Sequence, residues 1–535
     1  MTMIPLLALI TATQASAPAQ DAVPLYENLG THHVAITTRV PRAQQYFDQG
    51  LRLTYGFNHA EAIEAFNEAA RLDPGCVMCY WGRAYALGPN INAPMDSSSA
   101  VAAGAAIDQA LARSASTTPL EQALIRAMAA RYAATPPGNR AALDSAYASE
   151  MADVVRRFPE SLEAATLHAD AIMNLSPWNY WERDGKPRPG TDVLMTTLEQ
   201  VLATNPDHPG ACHFYIHAVE AAHPDQGIAC AERLARLMPG AGHIVHMPAH
   251  IYVRVGRYAD AVTANEHAIH TDESYIADRR PRGLYPLAYY PHNYHFLAFA
   301  ANMAGRSRVA IDAARALVPK IPVEIAKDVY FAEGIPAYLH LTLVMFGRWS
   351  EALNAPMPPA ELTVATGLAH YARGVAFAAT GNAAETGVAL ERVKQAAANA
   401  KAARPPDWPT NRVLDIATHA LAGEIATRAG RLEEGIVEFG TAVEIEDQLL
   451  YDEPPLWYYP MRHSFAAVLL QAGKAVDAQR VYEEDLRRFP ENGWSLFGLA
   501  LALRTQGKAV EADAIEARFR RAWAQADVRL AASRF

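Results

Sequence analysis

The hexapeptide Gly-Arg-Tyr-Ala-Asp-Ala at residues 256–261 decides the fold, because similar turns recur along the second half of this 535-residue chain. The recurring pairs are Gly-Arg at Gly305, Gly347 and Gly430, Gly-Asn at Gly381, and Gly-Lys at Gly473 and Gly507. Their successive spacings are 49, 42, 34, 49, 43 and 34 residues. Glycine relieves strain where a helix ends in the left-handed conformation, and the small residues that follow favour a new helix. The pattern predicts a series of helical hairpins.

A second set of sequence signals, each containing proline, marks where the second helix of a hairpin ends. Proline cannot continue a helix and pushes the preceding residue out of the helical conformation. Such signals are Leu72-Asp73-Pro74, Phe158-Pro159-Glu160, Asn205-Pro206, Met238-Pro239 and Phe489-Pro490-Glu491. Long alternating runs of Val, Ile and Thr, which are typical of strands, are absent from the sequence. We therefore expect an all-α fold.

The sequence resembles tetratricopeptide-repeat (TPR) proteins over most of residues 40–525. The motif is clearest where Ala60–Phe66 is followed by Ala69–Pro74, and again over Gly430–Gly507. The resemblance implies a TPR-type α-solenoid, a right-handed superhelix of helical hairpins in which the first helix of each pair lines a concave groove. The chain is also similar to a subgroup of long, exported, His-rich bacterial TPR proteins, which implies no particular activity. The segments behind this second likeness are Phe57-Asn58-His59, Cys76-Val77-Met78-Cys79, Leu87-Gly88-Pro89-Asn90 and Trp178-Asn179-Tyr180-Trp181.

Two irregular insertions, Gly88–Ser98 and Asn174–Thr191, interrupt the repeats. Insertions into repeat proteins usually project from one face, which is often the binding face. The predicted organisation is a signal peptide at residues 1–19, an N-terminal segment at 20–50, an N-terminal array with a His-rich groove at 51–320, and a C-terminal array at 321–535.

The signal-peptide prediction depends on the apolar residues 4–10 and on the sequence Ala-Pro-Ala at 17–19, although no Lys or Arg precedes Arg39. It places the protein in the periplasm or outside the cell.

The charge, the apolar stretches and the motif content of the sequence argue against several classes of function. The net charge of −10 and the absence of a basic cluster argue against nucleic acid as a partner. No apolar stretch after the N-terminus is long enough to span a membrane. The sequence contains no P-loop, nucleophile elbow, dinucleotide-binding glycine motif or His-Glu-x-x-His motif.

The four cysteines are too few for a disulfide scaffold. Cys76 and Cys79 could pair in an oxidising compartment, and Tyr80 follows them where a haem attachment motif requires His. Pairing of Cys212 with Cys230 stays open at this point.

Histidine is concentrated between His208 and His295, where eleven of the nineteen histidines fall. Two successive predicted helices carry histidines at the same positions, 10 and 13 residues before Gly256 and before Gly305. The seven histidines that share one helix face are His213, His217, His243, His246, His250, His292 and His295. We expect them to converge in the groove and to bind one or two transition-metal ions. An all-imidazole set favours copper, zinc or iron over magnesium or calcium.

Other side chains near this run are candidates for supporting roles. The candidate acid–base residues are Tyr252, Glu266 and Tyr294. The candidate substrate-binding residues are Trp178, Trp181, Tyr290 and Arg254. Glu220, Asp272 and Glu273 are candidates for orienting the imidazoles, although each is more often a solvated helix charge.

Three functions fit these observations. The first is a metal-dependent enzyme, an oxidoreductase or a hydrolase, acting on a small organic or peptide ligand in the groove. The second is a protein–protein interaction scaffold that binds a peptide or partner without metal. The third is metal handling without catalysis.

Overall fold

A computed structural model describes residues 23–535, so the predicted signal peptide at residues 1–19 lies outside the described residues. The described residues contain no β-strand. Two isolated β-bridges, Asn90–Ala93 and Trp181–Pro187, lie within the two predicted insertions. None of the described helices is both long and apolar enough to cross a membrane.

The chain divides into two compact units, one formed by residues up to Ile251 with His267–Pro286, the other by Tyr252–Glu266 with Leu287–Phe535. The array boundary predicted between residues 320 and 321 lies inside the second unit. The helices of the first unit are α1 (Pro41–Tyr55), α2 (His59–Leu72), α3 (Val77–Leu87), α4 (Ser97–Leu111), α5 (Pro119–Ala130), α6 (Ala141–Arg157), α7 (Leu162–Met173), α8 (Thr191–Thr204), α9 (Pro209–Val219), α10 (Ile228–Leu237) and α11 (Gly242–His246).

Two helices, α12 (Pro248–Arg254) and α13 (Tyr258–Arg279), contribute residues to both units. The helices of the second unit are α14 (Tyr290–Met303), α15 (Ser307–Leu317), α16 (Val323–Asp328), α17 (Tyr338–Met345), α18 (Trp349–Asn354), α19 (Thr363–Ala379), α20 (Ala383–Ala403), α21 (Pro409–Arg428), α22 (Leu432–Glu446), α23 (Arg462–Gln471), α24 (Ala475–Arg488), α25 (Gly493–Thr505) and α26 (Ala509–Ala522).

Within each unit, successive helices pack as hairpins. In the first unit α1 packs on α2, α3 on α4 and α9 on α10; in the second, α19 packs on α20, α21 on α22 and α25 on α26. First helices of neighbouring hairpins also contact one another, as α19 with α21 and α23 with α25. The predicted all-α fold of stacked helical hairpins, the architecture implied by the resemblance to TPR proteins, is confirmed.

The turn glycines behave as the sequence predicts. All seven have positive φ, between 66° at Gly347 and 81° at Gly256. At each turn the residue after the glycine donates its backbone N–H to the carbonyl four residues before the glycine, as Arg431 does to Ala426 and Lys474 to Leu469. This bond belongs to the Schellman motif, which satisfies carbonyls left over at a helix end. The glycines therefore set where the first helix of each hairpin stops.

Small residues allow the helices to approach closely. In the last repeats the fully buried Tyr482 belongs to a core cluster that also contains Ala466, Ala478, Ala502 and Ala512. Alanine adds little bulk and loses little entropy in a helix, so one large aromatic ring fills the space between several helices.

The cysteines fall into two pairs in the first unit. Cys76 and Cys79 are joined by a disulfide at the start of α3. Cys212 and Cys230, on α9 and α10, are buried free thiols.

Two matched substitutions test the turn geometry. Gly430 and Gly256 have φ values of 76° and 81°, so alanine is strained equally at both. A Cβ at Gly430 meets no atom within 4 Å, whereas at Gly256 it would lie 2.4 Å from the carbonyl oxygen of Pro490. We expect Gly430→Ala to lower the free energy of unfolding by about 1 kcal/mol, and Gly256→Ala to lower it by clearly more. Urea unfolding followed by circular dichroism measures the loss of unfolding free energy in each variant. Equal losses would contradict the close approach of Pro490 to Gly256.

Candidate metal centre

Five of the seven predicted imidazoles come together in the first unit. His213 and His217 lie on α9, His243 and His246 on α11, and His250 on α12. The rings form a closed circuit in which neighbouring centroids are 4.7 to 5.9 Å apart. The expected convergence of imidazoles is therefore observed for these five side chains, whereas their binding of metal stays a prediction.

The local sequence explains this placement. His213 and His217 are four residues apart on α9, so both project from the same side of that helix. The next three histidines, expected on one helix, lie on two, because α11 ends at His246 and α12 begins at Pro248. Pro248 causes the break because it has no N–H with which to continue the helix.

All five imidazoles are buried, with exposed fractions between 0% and 2%. Burial, together with the neighbouring imidazoles, holds the pKa values of His213, His217 and His243 well below the ordinary range. A buried imidazole avoids charge because its protonated form is poorly solvated there. These rings are therefore neutral at pH 7, which is the state in which histidine binds metal.

The Nδ1 atoms of three rings face acceptors. One buried carboxylate, Glu220 at the end of α9, lies 3.0 Å from His217 Nδ1 through Oε1 and 2.6 Å from His250 Nδ1 through Oε2. His213 Nδ1 lies 2.6 Å from the carbonyl oxygen of Tyr55. Carboxylate and carbonyl oxygens only accept hydrogen bonds, so each Nδ1 carries the hydrogen, and in the neutral rings of His213 and His217 the Nε2 atom carries a lone pair. Metal-binding histidines are commonly held in this way.

The Nε2 atoms point toward one another. His213 Nε2 is 3.1 Å from His243 Nε2, and His246 Nε2 is 2.8 Å from His250 Nε2. The buried His217 Nε2 has no hydrogen-bond partner among the described residues. One ring nitrogen from each of His213, His217 and His243 lies within 4.8 Å of the other two. Imidazole nitrogens on one tetrahedral zinc ion are about 3.3 Å apart, so a small inward movement brings these three to an ion.

Two aromatic rings cover the cluster. Phe57 lies 4.6 Å from the His213 ring and 5.4 Å from the His243 ring, and Trp178 lies 5.0 Å from the His217 ring. Phe57 and Trp178 have φ values of 55° and 64°, which are uncommon for bulky residues. Such strain persists only where the surroundings enforce it, and it is frequent at functional sites.

The two insertions meet at Trp178. Its Nε1 donates to the carbonyl oxygen of Ile91, in the first insertion, at 2.9 Å. Trp181 packs beside the C-terminal end of α9. Its Nε1 donates to the carbonyl oxygen of Ala218, and the centre of its ring is 4.5 Å from the centre of the His223 ring. Of the two tryptophans predicted to bind substrate, Trp178 is thus the one whose ring contacts the imidazole cluster. Binding of substrate by Trp178 and Trp181 stays a prediction.

The remaining two predicted ligands, His292 and His295, belong to α14 of the second unit. The His292 ring is 5.1 Å from Phe296, and the His295 ring is 4.6 Å from Tyr338. Burial lowers the pKa of His295 to about 3. Metal binding by these two residues stays a prediction.

Five more predicted site residues also belong to the second unit, namely Tyr252, Arg254, Glu266, Tyr290 and Tyr294. The Arg254 guanidinium lies 5.6 Å from the centre of the Tyr451 ring, and the Glu266 carboxylate is 3.7 Å from Arg306. Their predicted acid–base and substrate-binding roles stay predictions.

A second group of His and Glu in the first unit has different chemistry. Glu163 accepts from His32 Nε2 at 3.1 Å and lies 3.4 Å from His208 Nε2. His208 Nδ1 accepts the backbone N–H of Ala211, so its Nε2 carries the hydrogen. Although burial opposes ionisation, the hydrogen bonds from His208 and His32 hold the pKa of Glu163 far below its usual range. The group is a hydrogen-bonded network and leaves no His208 lone pair for a metal.

Tyr55 connects this network to the imidazole cluster. Its hydroxyl donates to Glu163, and its carbonyl oxygen accepts from His213 Nδ1. Sequence reasoning missed this role, because Tyr55 and Glu163 are 108 residues apart and no spacing rule relates them. It also missed Phe57, whereas it did identify Glu220 as a candidate for orienting imidazoles.

Comparisons with known proteins add no functional information. No family model and no curated protein matches the chain. Similar solved structures include a human IFIT1 dimer with m7Gppp-AAAA (12% identity, TM-score 0.31, covering 92% of this chain and 91% of that one) and yeast Tom70 (12%, 0.26, 90% and 92%). A third is Naa15/Naa10 bound to HypK-THB (14%, 0.23, 91% and 74%). Likenesses this distant say nothing about what the chain binds.

The pH dependence of stability tests the burial of His59, which follows Phe57 by two residues. His59 Nδ1 donates to the carbonyl oxygen of Ala86, and burial lowers the pKa of His59 from 6.5 to about 4. A pKa that is lower in the folded state means that the unfolded chain binds the proton first. We therefore expect stability to be full above pH 6.5 and to fall toward pH 4, with His59 accounting for about 3 kcal/mol of the loss.

Denaturant unfolding of the chelator-treated protein at several pH values between 7.5 and 4 measures this loss. The His59→Gln variant should lose less stability over that range than the unsubstituted protein. Parallel curves for the two proteins would show that His59 is not held neutral by burial.

Proposed function

We propose that the first unit binds a transition-metal ion through His213, His217 and His243, and that the protein is a metal-dependent enzyme acting on an organic substrate. The observation that carries the proposal is the arrangement around Glu220. This buried carboxylate holds His217 and His250 by Nδ1, while His217 Nε2 is left without a hydrogen-bond partner. The imidazoles thus present lone pairs to a common space.

A metal-free role explains these contacts less well. A buried polar atom without a partner costs about 1–3 kcal/mol, and His217 Nε2 incurs that cost in a purely structural cluster. A hydrogen bond between neutral rings accounts for the 3.1 Å contact of His213 Nε2 with His243 Nε2, but it gives His217 Nε2 no partner. A metal ion bound by His213, His217 and His243 supplies that partner.

The donor set indicates which ions suit the site. Neutral imidazoles favour zinc, copper or iron, whereas magnesium and calcium prefer oxygen ligands. A three-imidazole set on such an ion leaves a coordination position for water or substrate, as in catalytic sites, and the bound ion acts as a Lewis acid or redox centre. The chain's own residues have separate tasks: Glu220 and the Tyr55 carbonyl fix the imidazole orientations, while Phe57 and Trp178 keep water away from the rings.

Metal analysis tests the proposal directly. The full chain is stripped with chelator, incubated separately with Zn²⁺, Cu²⁺ and Co²⁺, desalted and analysed by mass spectrometry. We expect at least one ion per chain for the unsubstituted protein and little for His213→Ala/His217→Ala, because two of the three ligands are gone. His419→Ala is the matched control, since this half-exposed histidine pairs with Glu438 in the second unit.

Retention of stoichiometric metal by the double variant, or negligible metal in the unsubstituted protein, would overturn the proposal. If metal binds but screening of hydrolytic and oxidative substrates shows no turnover by the loaded protein, the enzymatic part is wrong and metal handling is the better description.

A conservative substitution tests the orienting role of Glu220. Glu220→Gln keeps the shape of the side chain but turns an amide donor toward one of the two Nδ1–H groups. We expect metal affinity, measured by competition with a chromophoric chelator, to fall by about 10–100-fold. Glu199→Gln is the control, because the Glu199 carboxylate accepts a hydrogen bond from Tyr215, on the α8–α9 hairpin. Equal affinities for both variants would exclude the orienting role.

A further inference from the structure

The segment that follows α26, residues 524–535 and here called the tail segment, folds back onto the first helices of the hairpins in the second unit. Ser533 Oγ donates to the carbonyl oxygen of His463 on α23 at 2.8 Å and is 2.7 Å from the Tyr482 hydroxyl. Ser533 is 1% exposed. The tail segment is therefore held against the helices by buried polar contacts.

Arg534 provides the main anchor. Its guanidinium donates to Glu424 on α21, a carboxylate that is almost fully buried and also accepts from Arg428. Burial alone would raise the pKa of Glu424, but Arg534 and Arg428 together hold it below its usual value. The guanidinium also lies 5.4 Å from the centre of the Phe439 ring. A carboxylate combined with an aromatic face is a specific recognition site for arginine rather than lysine.

The next residue, Phe535, meets a second aromatic site. Its ring stands edge-on to Trp494 at 5.7 Å and lies against Gly347. Trp494 itself is fixed, because it is 1% exposed and its Nε1 donates to the carbonyl oxygen of Asn302. Phe535 is 37% exposed, so this contact holds one side of the ring only.

The tail segment is also attached at a point closer to α26. The Asp527 carboxylate accepts the backbone N–H groups of Ser307 and Arg308 at 2.7 and 3.1 Å. Between the two attachment points Arg529 and Ala531 are exposed. The attachment thus consists of two sets of polar contacts joined by a stretch in which exposed and partly buried residues alternate.

The tail segment does not fill the face that it covers. A cavity of about 490 Å³ lies beside it and is bounded by α21, α23 and α25. Its walls include Thr427, Leu470, Gly498 and Leu501, together with Ala532–Phe535 of the tail segment. This space has room for side chains that the tail segment lacks, since alanine and serine precede Arg534.

We propose that this face of the second unit is a binding site for peptides in which an arginine is followed by an aromatic residue, and that the tail segment occupies it as an internal competitor. The partner inserts its arginine between Glu424 and Phe439 and places its aromatic ring on Trp494. Larger residues before the arginine enter the neighbouring cavity. The site is separate from the imidazole cluster and does not depend on metal.

The test uses a fluorescein-labelled peptide with the sequence of residues 524–535 and fluorescence anisotropy. Arg534→Ala/Phe535→Ala in the full chain weakens the internal competitor and keeps every helix. We expect this variant to bind the labelled peptide at least tenfold more tightly than the unsubstituted protein does. Adding Glu424→Gln should remove the gain, whereas Glu433→Gln, at an exposed carboxylate on α22, should leave it unchanged.

Two further measurements distinguish specific recognition of the peptide from non-specific binding. A labelled peptide in which Ala replaces the arginine should bind at least tenfold more weakly to the tail variant. Asp527→Asn weakens the other attachment without touching the binding face, because one of the two accepting oxygens is lost, and it too should increase peptide binding. Equal weak binding by all proteins that fold normally by circular dichroism, or binding that does not depend on Glu424, would overturn the proposal and leave the tail segment as an ordinary part of the fold.

Discussion

The buried carboxylate of Glu220 is the constraint on which the candidate metal centre depends. It is completely inaccessible to solvent and has the Nδ1 atoms of His217 and His250 at 3.0 and 2.6 Å. An isolated anion in such surroundings is costly, and the two Nδ1–H groups are hydrogen-bond donors that stabilise it. The proposed cation among the adjoining imidazoles would add to that stabilisation. The same hydrogen bonds fix which nitrogen of each ring carries the lone pair, so one residue sets both charge and orientation.

The helical hairpins supply the rigidity that this arrangement needs. α9 carries His213 and His217, and Glu220 directly follows its last residue, so one helix fixes the mutual geometry of all three side chains. The carbonyl oxygen at the end of α1, from Tyr55, fixes His213 from another direction. Because the Tyr55 hydroxyl in turn bonds to the Glu163 network, the position of that carbonyl is itself constrained. Ligand groups held by several independent elements lose little freedom on binding an ion.

Sequence reasoning predicted the parts of this structure that depend on local chemistry. The turn glycines adopt the left-handed conformation, the proline signals follow helix ends, and the helical spacing of His213 and His217 places both on one side of α9. Glu220 could be named because it is an acidic residue within the His-rich stretch of the sequence. Contacts between segments that are far apart in sequence could not be predicted in this way. Phe57, Tyr55 and Glu163 reach the site through packing that no spacing rule encodes, and the break at Pro248 changes a helix that periodicity alone treats as continuous.

X-ray absorption spectroscopy of the full chain loaded with one equivalent of Zn²⁺ tests the central claim most directly. The account predicts a first shell dominated by nitrogen at about 2.0–2.1 Å, with the outer-shell scattering of several imidazole rings. A first shell of water oxygen without imidazole scattering, or one of sulfur from the buried thiols Cys212 and Cys230, would contradict it.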